Sequence, residues 1–439
     1  MGKLLPSYKK ALLDEMKANI EANTSQYYAF AANPVAYTGS APTNTDDDYS
    51  KQFVNDWLML FGKRLNTGDV VPIIKKNMWT SGTHYDRYDN TSTTLFDNNN
   101  FYVITEPLIT GGEYYVYKCI DNNNGGTSTV NPSSIATPKQ PTTFTTPADG
   151  YKWRYVATID SPSFVEFSTN DYSPIYTDTN ISIISETYEG VEVVVIANSG
   201  VGYETYTNGT IQSNPNSSIV QIDTTSIDRP EYYTNNAIYI YNELSATSQL
   251  FPIASYYTGN NNTKWVRIDG TANTELIFPG STKYKISPRV IFESDGVDPK
   301  AYTVVNTSTN AIHSVVILDS GSSISWANAY IQSNTNYGSG ANVYCIVPPP
   351  GGHGRDPATE LNMKGIAIGF KFSNTESNTI LGTGITYNKI GLIKNPYTML
   401  ANTAKSGRYA ANTFNQLLKA NVSPSYTFSV GDVVFGANS

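Results

Sequence analysis

Residues 149–159 constrain the fold more than any other stretch of this chain. Asp149-Gly150 opens a turn. Tyr151, Trp153, Tyr155, Ala157 and Ile159 then alternate with Lys152, Arg154, Val156 and Thr158. Period-two alternation puts the two sets on opposite faces of a β-strand. A helix would scatter the aromatic rings around its surface, so this segment must pair in a sheet and bury the aromatic face. The Lys152/Arg154 face is then expected to stay in water or to meet a partner. A hairpin fits the same sheet. Residues 102–104, the turn Gly111-Gly112 and residues 113–120 supply two arms. In the second arm Tyr115, Tyr117 and Cys119 share one face, and Tyr114, Val116 and Lys118 the other.

The composition agrees with a sheet-rich chain. Among 439 residues there are 33 Tyr, more than Lys and Arg together at 29. Only 15% are charged, against roughly 25% in ordinary soluble domains. Aromatic content of 12% with a net charge of −8 excludes disorder, which needs few aromatics and high charge. The mildly acidic balance argues against broad nucleic-acid binding, which needs a basic patch. No apolar run reaches the roughly 18 residues of a membrane span, and no apolar segment follows Lys3, Lys9 and Lys10 as in a secretory signal. Cys119 and Cys345 sit in separate apolar segments and read as buried free thiols.

Along the chain, Leu12, Leu13, Met16 and Ile20 recur at helical spacing after Ser7. Asp46, Asp47 and Asp48 read as a helix entry, with Phe53, Val54, Trp57, Leu58 and Phe61 as the apolar stripe of a helix ending near Gly62. The middle holds an internal repeat. Val194-Val-Ile-Ala-Asn-Ser-Gly200 matches Val315-Val-Ile-Leu-Asp-Ser-Gly321, and Ile211-Gln-Ser-Asn214 matches Ile331-Gln-Ser-Asn334, at an offset of roughly 120 residues. Each copy reads strand, Ser-Gly turn, strand, which places a duplicated β unit at 181–350. Pro348-Pro-Pro-Gly-Gly352 marks a boundary, and Asp356 caps a short helix with Pro357 at its first position. Residues 365–372 and 385–393 return to β. A short helix at 410–420 and a closing strand at 426–435 complete the chain. The organisation is mainly β: 1–180 with N-terminal helices and a β core, 181–350 as an insertion with two repeats, and 351–439 completing the core.

Few residues stand in patterns that carry chemistry. His84, His313 and His353 have no second His or Cys at ligand spacing, so no zinc site is expected. His353 lies in Gly351-Gly-His-Gly-Arg-Asp-Pro357, read as a glycine-rich turn leading to a helix cap. It lacks the Lys-Ser/Thr ending of a phosphate loop. No Gly-x-Ser-x-Gly elbow occurs. Glu186, Glu189, Glu192, Asp295 and Asp298 could serve a glycoside hydrolase only if two faced each other across a sugar. Asp97-Asn-Asn-Asn100 and Asp121-Asn-Asn-Asn-Gly-Gly126 are oxygen-rich, but lack the spacing of an EF-hand loop and read as Asx turns. Residues 70–90 interleave cations and aromatics, including Lys75, Lys76, Trp79, His84, Tyr85, Arg87 and Tyr88. In an acidic chain that pattern points to a protein interface, whose centres favour Trp, Tyr and Arg.

Several blocks resemble one family. Asp56-Trp-Leu-Met-Leu-Phe61, Val71-Pro-Ile-Ile-Lys-Lys-Asn-Met-Trp79 with Tyr85-Asp-Arg-Tyr88, Tyr115-Val-Tyr-Lys-Cys-Ile-Asp121, Asp149-Gly-Tyr-Lys-Trp-Arg-Tyr155 and Tyr387-Asn-Lys-Ile-Gly-Leu-Ile-Lys-Asn-Pro396 are similar, in that order, to the baseplate wedge protein encoded by gene eight of T-even-type contractile-tailed phages and its longer marine-phage relatives. The resemblance covers about 1–176 and 383–439. It implies a mainly β fold with a layered β-sandwich core and helical insertions. It implies a non-enzymatic virion protein, assembled in the host cytoplasm, that forms homodimers and contacts other baseplate wedge proteins, with no cofactor and no catalytic residues. The repeat-bearing segment departs from the shorter members. Trp79, Tyr85, Arg87, Tyr88, Lys152 and Arg154 are the expected interface residues. The alternative from another class is a tail-associated receptor-binding or glycan-degrading protein; a cytosolic β protein unrelated to virions leaves the ordered matches unexplained.

Overall fold

The computed structural model describes residues 5–22, 27–32, 59–134, 145–179, 190–204, 206–243, 245–332, 338–369, 389–395, 397–399 and 405–408. Strands hold 44% and helices 14%, so the chain is mainly β, as expected. It divides into two compact units. One comprises 1–76, 162–175 and 362–439; the other comprises 77–161 and 176–361.

In the first unit, helix α1 (Pro6–Glu21) starts on a proline at its first turn, and Lys10–Asp14 and Lys17–Glu21 pair one turn apart. Ile20 is buried with Ala29, Leu65 and Val70, whereas Leu12 and Met16 stay exposed. The strand Tyr27–Ala32 pairs antiparallel with Met59–Arg64 on one edge and Lys389–Lys394 on the other. The expected helix through Phe61 to Gly62 is therefore corrected: residues 59–64 are a strand. A local helical period yields here because a neighbouring strand satisfies every other N–H and C=O of the segment. Residues 46–58 of that expectation lie outside the described residues, as do 370–388 and 409–439, including the expected helix at 410–420 and closing strand. A second sheet places Val70–Lys75 between Gly365–Ile368 and Tyr172–Pro174.

The second unit contains three β assemblies. In the first, β1 (Tyr102–Thr105), β2 (Tyr114–Asp121) and β3 (Lys152–Ile159) form an antiparallel sheet in the order expected from the hairpin. One face carries the aromatic core: Tyr117, Cys119, Trp153 and Tyr155 pack with Tyr85, Val103 and Tyr151. Tyr151 stacks on Trp153 at 5.3 Å, and Tyr85 meets its edge at 5.6 Å. The second assembly is a seven-stranded antiparallel sheet ordered Ser213–Asn216, Ile219–Ile222, Lys264–Ile268, Thr247–Thr258, Ala237–Asn242, Lys283–Ser287, Tyr206–Thr210. In the third, β4 (Val193–Val201) pairs with β6 (Ser339–Ile346), and β5 (Ala311–Asp319) with Lys300–Asn306, around one core that also takes in Val290, Phe292 and Ile331.

The two sequence repeats occupy different settings. In the second copy β5 ends at Asp319 and turns at Ser320-Gly321, where φ is +76° and a Cβ would lie 2.1 Å from the Val297 oxygen. In the first copy β4 continues through Ser199-Gly200 to Val201, with Gly200 at φ +61° inside the strand and a pairing shift between Asn342 and Val343 of β6. Ile211 packs into the seven-stranded sheet, whereas Ile331 joins the core beneath β4 and β5.

Candidate functional site

The second face of the β1–β2–β3 sheet is expected to stay in water or to meet a partner; Lys152 stays half-exposed, whereas Lys118 and Arg154 are buried within the chain. Register sets Lys118 of β2 directly opposite Arg154 of β3. Like charges in that position repel unless carboxylates intervene. Lys118 is 0% and Arg154 6% exposed, so the compensation has to come from within the chain. Glu360 Oε1 lies 2.7 Å from Lys118 Nζ, and Glu192 Oε1 lies 3.1 Å from Arg154 Nη2. His353 joins the two pairs: its Nδ1 is 2.6 Å from Glu360 Oε1, and its Nε2 is 2.5 Å from Glu192 Oε2. The same Nδ1 also lies 2.9 Å from Lys118 Nζ. The Tyr88 ring, its centroid 3.3 Å from Lys118 Nζ, supplies a further negative face.

The glycine-rich loop delivers these groups. Gly351, Gly352 and Gly354 all have φ near +82°, a region closed to most side chains. That path turns His353 inward and lets Gly354 N donate to Glu360 Oε2 at 2.7 Å. Helix α2 (Pro357–Glu360) follows, with Asp356 as its cap and Pro357 at its first position, as the sequence predicted. Its last residue is Glu360.

Burial alone would raise the Glu360 pKa, but Lys118 and His353 outweigh it and hold the carboxyl down to about 2. Glu192 is likewise pushed up by burial but held below its ordinary value by His353, then Arg154. Burial draws the Lys118 ammonium below its usual pKa, with Glu360 opposing. The polar groups of the network face one another. Chemically the cluster fastens β2, β3, the approach to β4 and the 351–360 segment.

The six expected interface residues part company. Tyr85 lies in the aromatic core, its hydroxyl accepting from Thr80 N at 2.8 Å. Tyr88 and Arg154 lie in the charge network. Trp79 is half-buried and donates to Ser128 Oγ at 3.0 Å. Arg87, which donates to the Tyr344 hydroxyl at 3.2 Å, and Lys152, 3.6 Å from Asp121, line one cleft of about 400 Å³. A second cleft of about 520 Å³ is lined by Arg87 with Asp86, Asp89 and Asp97. The residues that sequence reasoning missed are Glu360 and the pairing role of Glu192. Two cations opposed across strands inside apolar surroundings were the available signal that buried carboxylates must exist elsewhere.

Of the carboxylates considered for glycoside hydrolysis, Glu186 and Glu189 lie outside the described residues. Glu192 is buried, Asp295 accepts from Ser325 N at 2.9 Å, and Asp298 accepts from Ser294 Oγ at 2.7 Å. The asparagine loops are turns, with left-handed Asn99, Asn123 and Asn124. Cys119 and Cys345 are buried free thiols, both pushed up by burial, Cys345 to about 12. Among the described residues no group of three or more His, Cys, Asp or Glu is arranged to hold a metal ion, and no helix is long and apolar enough to cross a membrane. No family model matches the chain, and no curated protein sequence matches it.

Proposed function

We propose that this chain is a structural subunit of a contractile phage tail, a baseplate wedge protein that acts through protein–protein contacts in wedge assembly and tail triggering. One observation carries the reading. Two of the blocks that resemble the family, 115–121 and 149–155, run through adjacent paired strands whose opposed Lys118 and Arg154 side chains are engaged inside the chain. What these blocks share with the family is scaffold, which suits a protein that bears load rather than turns over substrate. On this reading the β core is the family's layered sandwich, the segment 181–350 is its duplicated enlargement, and Arg87, Lys152 and Trp79 remain on the surface for neighbours. The protein is a homodimer, resident in the virion and in contact with other wedge proteins. Light scattering of the purified protein, followed by crosslinking in assembled particles, tests it. A dimer that crosslinks to baseplate proteins is expected; a monomer that joins no other tail protein would count decisively against it.

A further inference from the structure

We propose that the outer face of the antiparallel pair Val290–Ser294 and Ala327–Ile331 is a binding platform for an extended, uncharged oligosaccharide, stacked on Trp326 and Tyr330. Binding here goes beyond the assembly reading above and is independent of it.

Register and alternation build the face. Val290, Phe292, Ala329 and Ile331 are buried in one core, so the residues between them point outward. Ile291 lies opposite Tyr330, and Glu293 opposite Asn328. Trp326 directly precedes the second strand. There the Asp295 carboxylate accepts from Ser325 N at 2.9 Å and from Trp326 N at 3.3 Å. One outward row therefore reads Trp326, Asn328, Tyr330, and the row beside it reads Glu293, Ile291.

Both rings stand well out in water. Trp326 is 49% and Tyr330 46% exposed, and Trp326 is the one exposed tryptophan among the described residues. Four residues of strand set their Cα atoms about 13 Å apart. One sugar ring cannot reach both, whereas a short chain of sugars can. Asn328 and Glu293 lie exposed between the rings. Among the described residues, the side chains of Trp326, Asn328, Tyr330 and Glu293 make no hydrogen bond, ion pair or ring contact.

That alternation of ring, polar pair and ring selects the occupant. The C–H face of a pyranose is weakly positive and packs on the negative face of an aromatic ring. Sugar hydroxyls donate to a carboxylate, and two neighbouring hydroxyls match the donor and acceptor of an amide. A protein interface places apolar side chains at its centre, where this face has Asn328 and Glu293. A nucleic acid needs cations against its phosphates, and the centre here is acidic; Arg289 stands at the far end, beyond Ile291. Asp295 already holds the backbone under the indole, which lowers the ordering cost when a ligand stacks on it.

The test is titration calorimetry of the purified full chain with cellotetraose and chitotetraose, and with glucose and N-acetylglucosamine as their single-ring counterparts. At least one tetrasaccharide should bind about tenfold or more tightly than its own monosaccharide, with no weakening as salt rises, since no charge pair forms. Trp326→Ala should lose about tenfold in affinity and Tyr330→Ala somewhat less, whereas Trp326→Phe recovers part and Tyr330→Phe retains binding. Glu293→Gln should lose a few-fold. All three side chains are exposed, so these variants should melt with the parent. If Trp326→Ala melts early, Tyr330→Ala and Glu293→Gln decide. Tetrasaccharides that bind no better than their monosaccharides, or that bind undiminished to these variants, would overturn the proposal. So would a smaller particle of Trp326→Ala in light scattering without sugar, which would make the face a subunit contact. A chain that crosslinks to baseplate proteins but takes no sugar loses the platform and keeps the assembly reading. A chain that binds sugar but joins no tail protein does the reverse.

Discussion

Lys118 and Lys264 are both 0% exposed, yet they are held in opposite ways. Lys118 sits behind the β1–β2–β3 sheet, and its carboxylate partner Glu360 is 3% exposed. Lys264 starts a strand inside the seven-stranded sheet, but its ammonium reaches the rim. There it meets Asn262 Oδ1 at 2.7 Å, Thr258 Oγ1 at 3.2 Å, and Asp228, which is 69% exposed. Water screens the second pair and can replace Asp228 when it leaves. Nothing can replace Glu360, because the groups around it are other members of the same network. The comparison teaches that burial of a cation says little about its energetic weight; burial of its counter-charge decides that.

Breaking each pair should separate the two sites widely. Glu360→Ala strands Lys118, His353 and the Gly354 amide, and should cost about 3–5 kcal/mol in urea unfolding. Acid probes the same carboxylate without mutation. Its folded pKa is depressed from 4.5 to about 2, so its contribution is complete above pH 4.5 and is lost as pH falls toward 2. Across that window the second unit should lose about 3 kcal/mol from this group, and a Glu360→Gln variant should show a flatter acid profile in the same denaturant series. A double-mutant cycle sharpens the point. Lys118→Met and Glu360→Gln together should destabilise by about 1 kcal/mol or more less than the sum of the singles, since the double variant removes one buried cation together with one buried carboxylate. The smallest effect belongs to Asp228→Asn, which leaves Lys264 its two neutral acceptors and offers an amide oxygen where the exposed carboxylate stood. Its melting temperature should move far less than that of any network variant, and a loss as large as that of Glu360→Ala would undo the comparison.

Much of this was legible in the sequence. Alternation placed Tyr117 and Cys119 on one face of β2 and Lys118 on the other, and it set the aromatic row of β3. Both are features of the strand's own geometry. Asp356-Pro357 announced α2 because capping acts over one turn. The strand at 59–64 was not legible: its apolar residues also fit a helical period, and only pairing with 27–32 chose between them. His353 read as part of a turn. That reading describes the loop correctly and misses the ring, whose partners lie far away in the chain.

What the sequence determined by itself is therefore which side chains share a face, because period two is a property of the backbone over a few residues. Whether the Lys118/Arg154 face meets water or carboxylates was decided by tertiary structure. Glu360 comes from 242 residues beyond Lys118, and Glu192 from 38 beyond Arg154. No local pattern can specify what covers a sheet at that distance. It can only leave two opposed cations that need neutralising, and the fold supplies the neutralising groups.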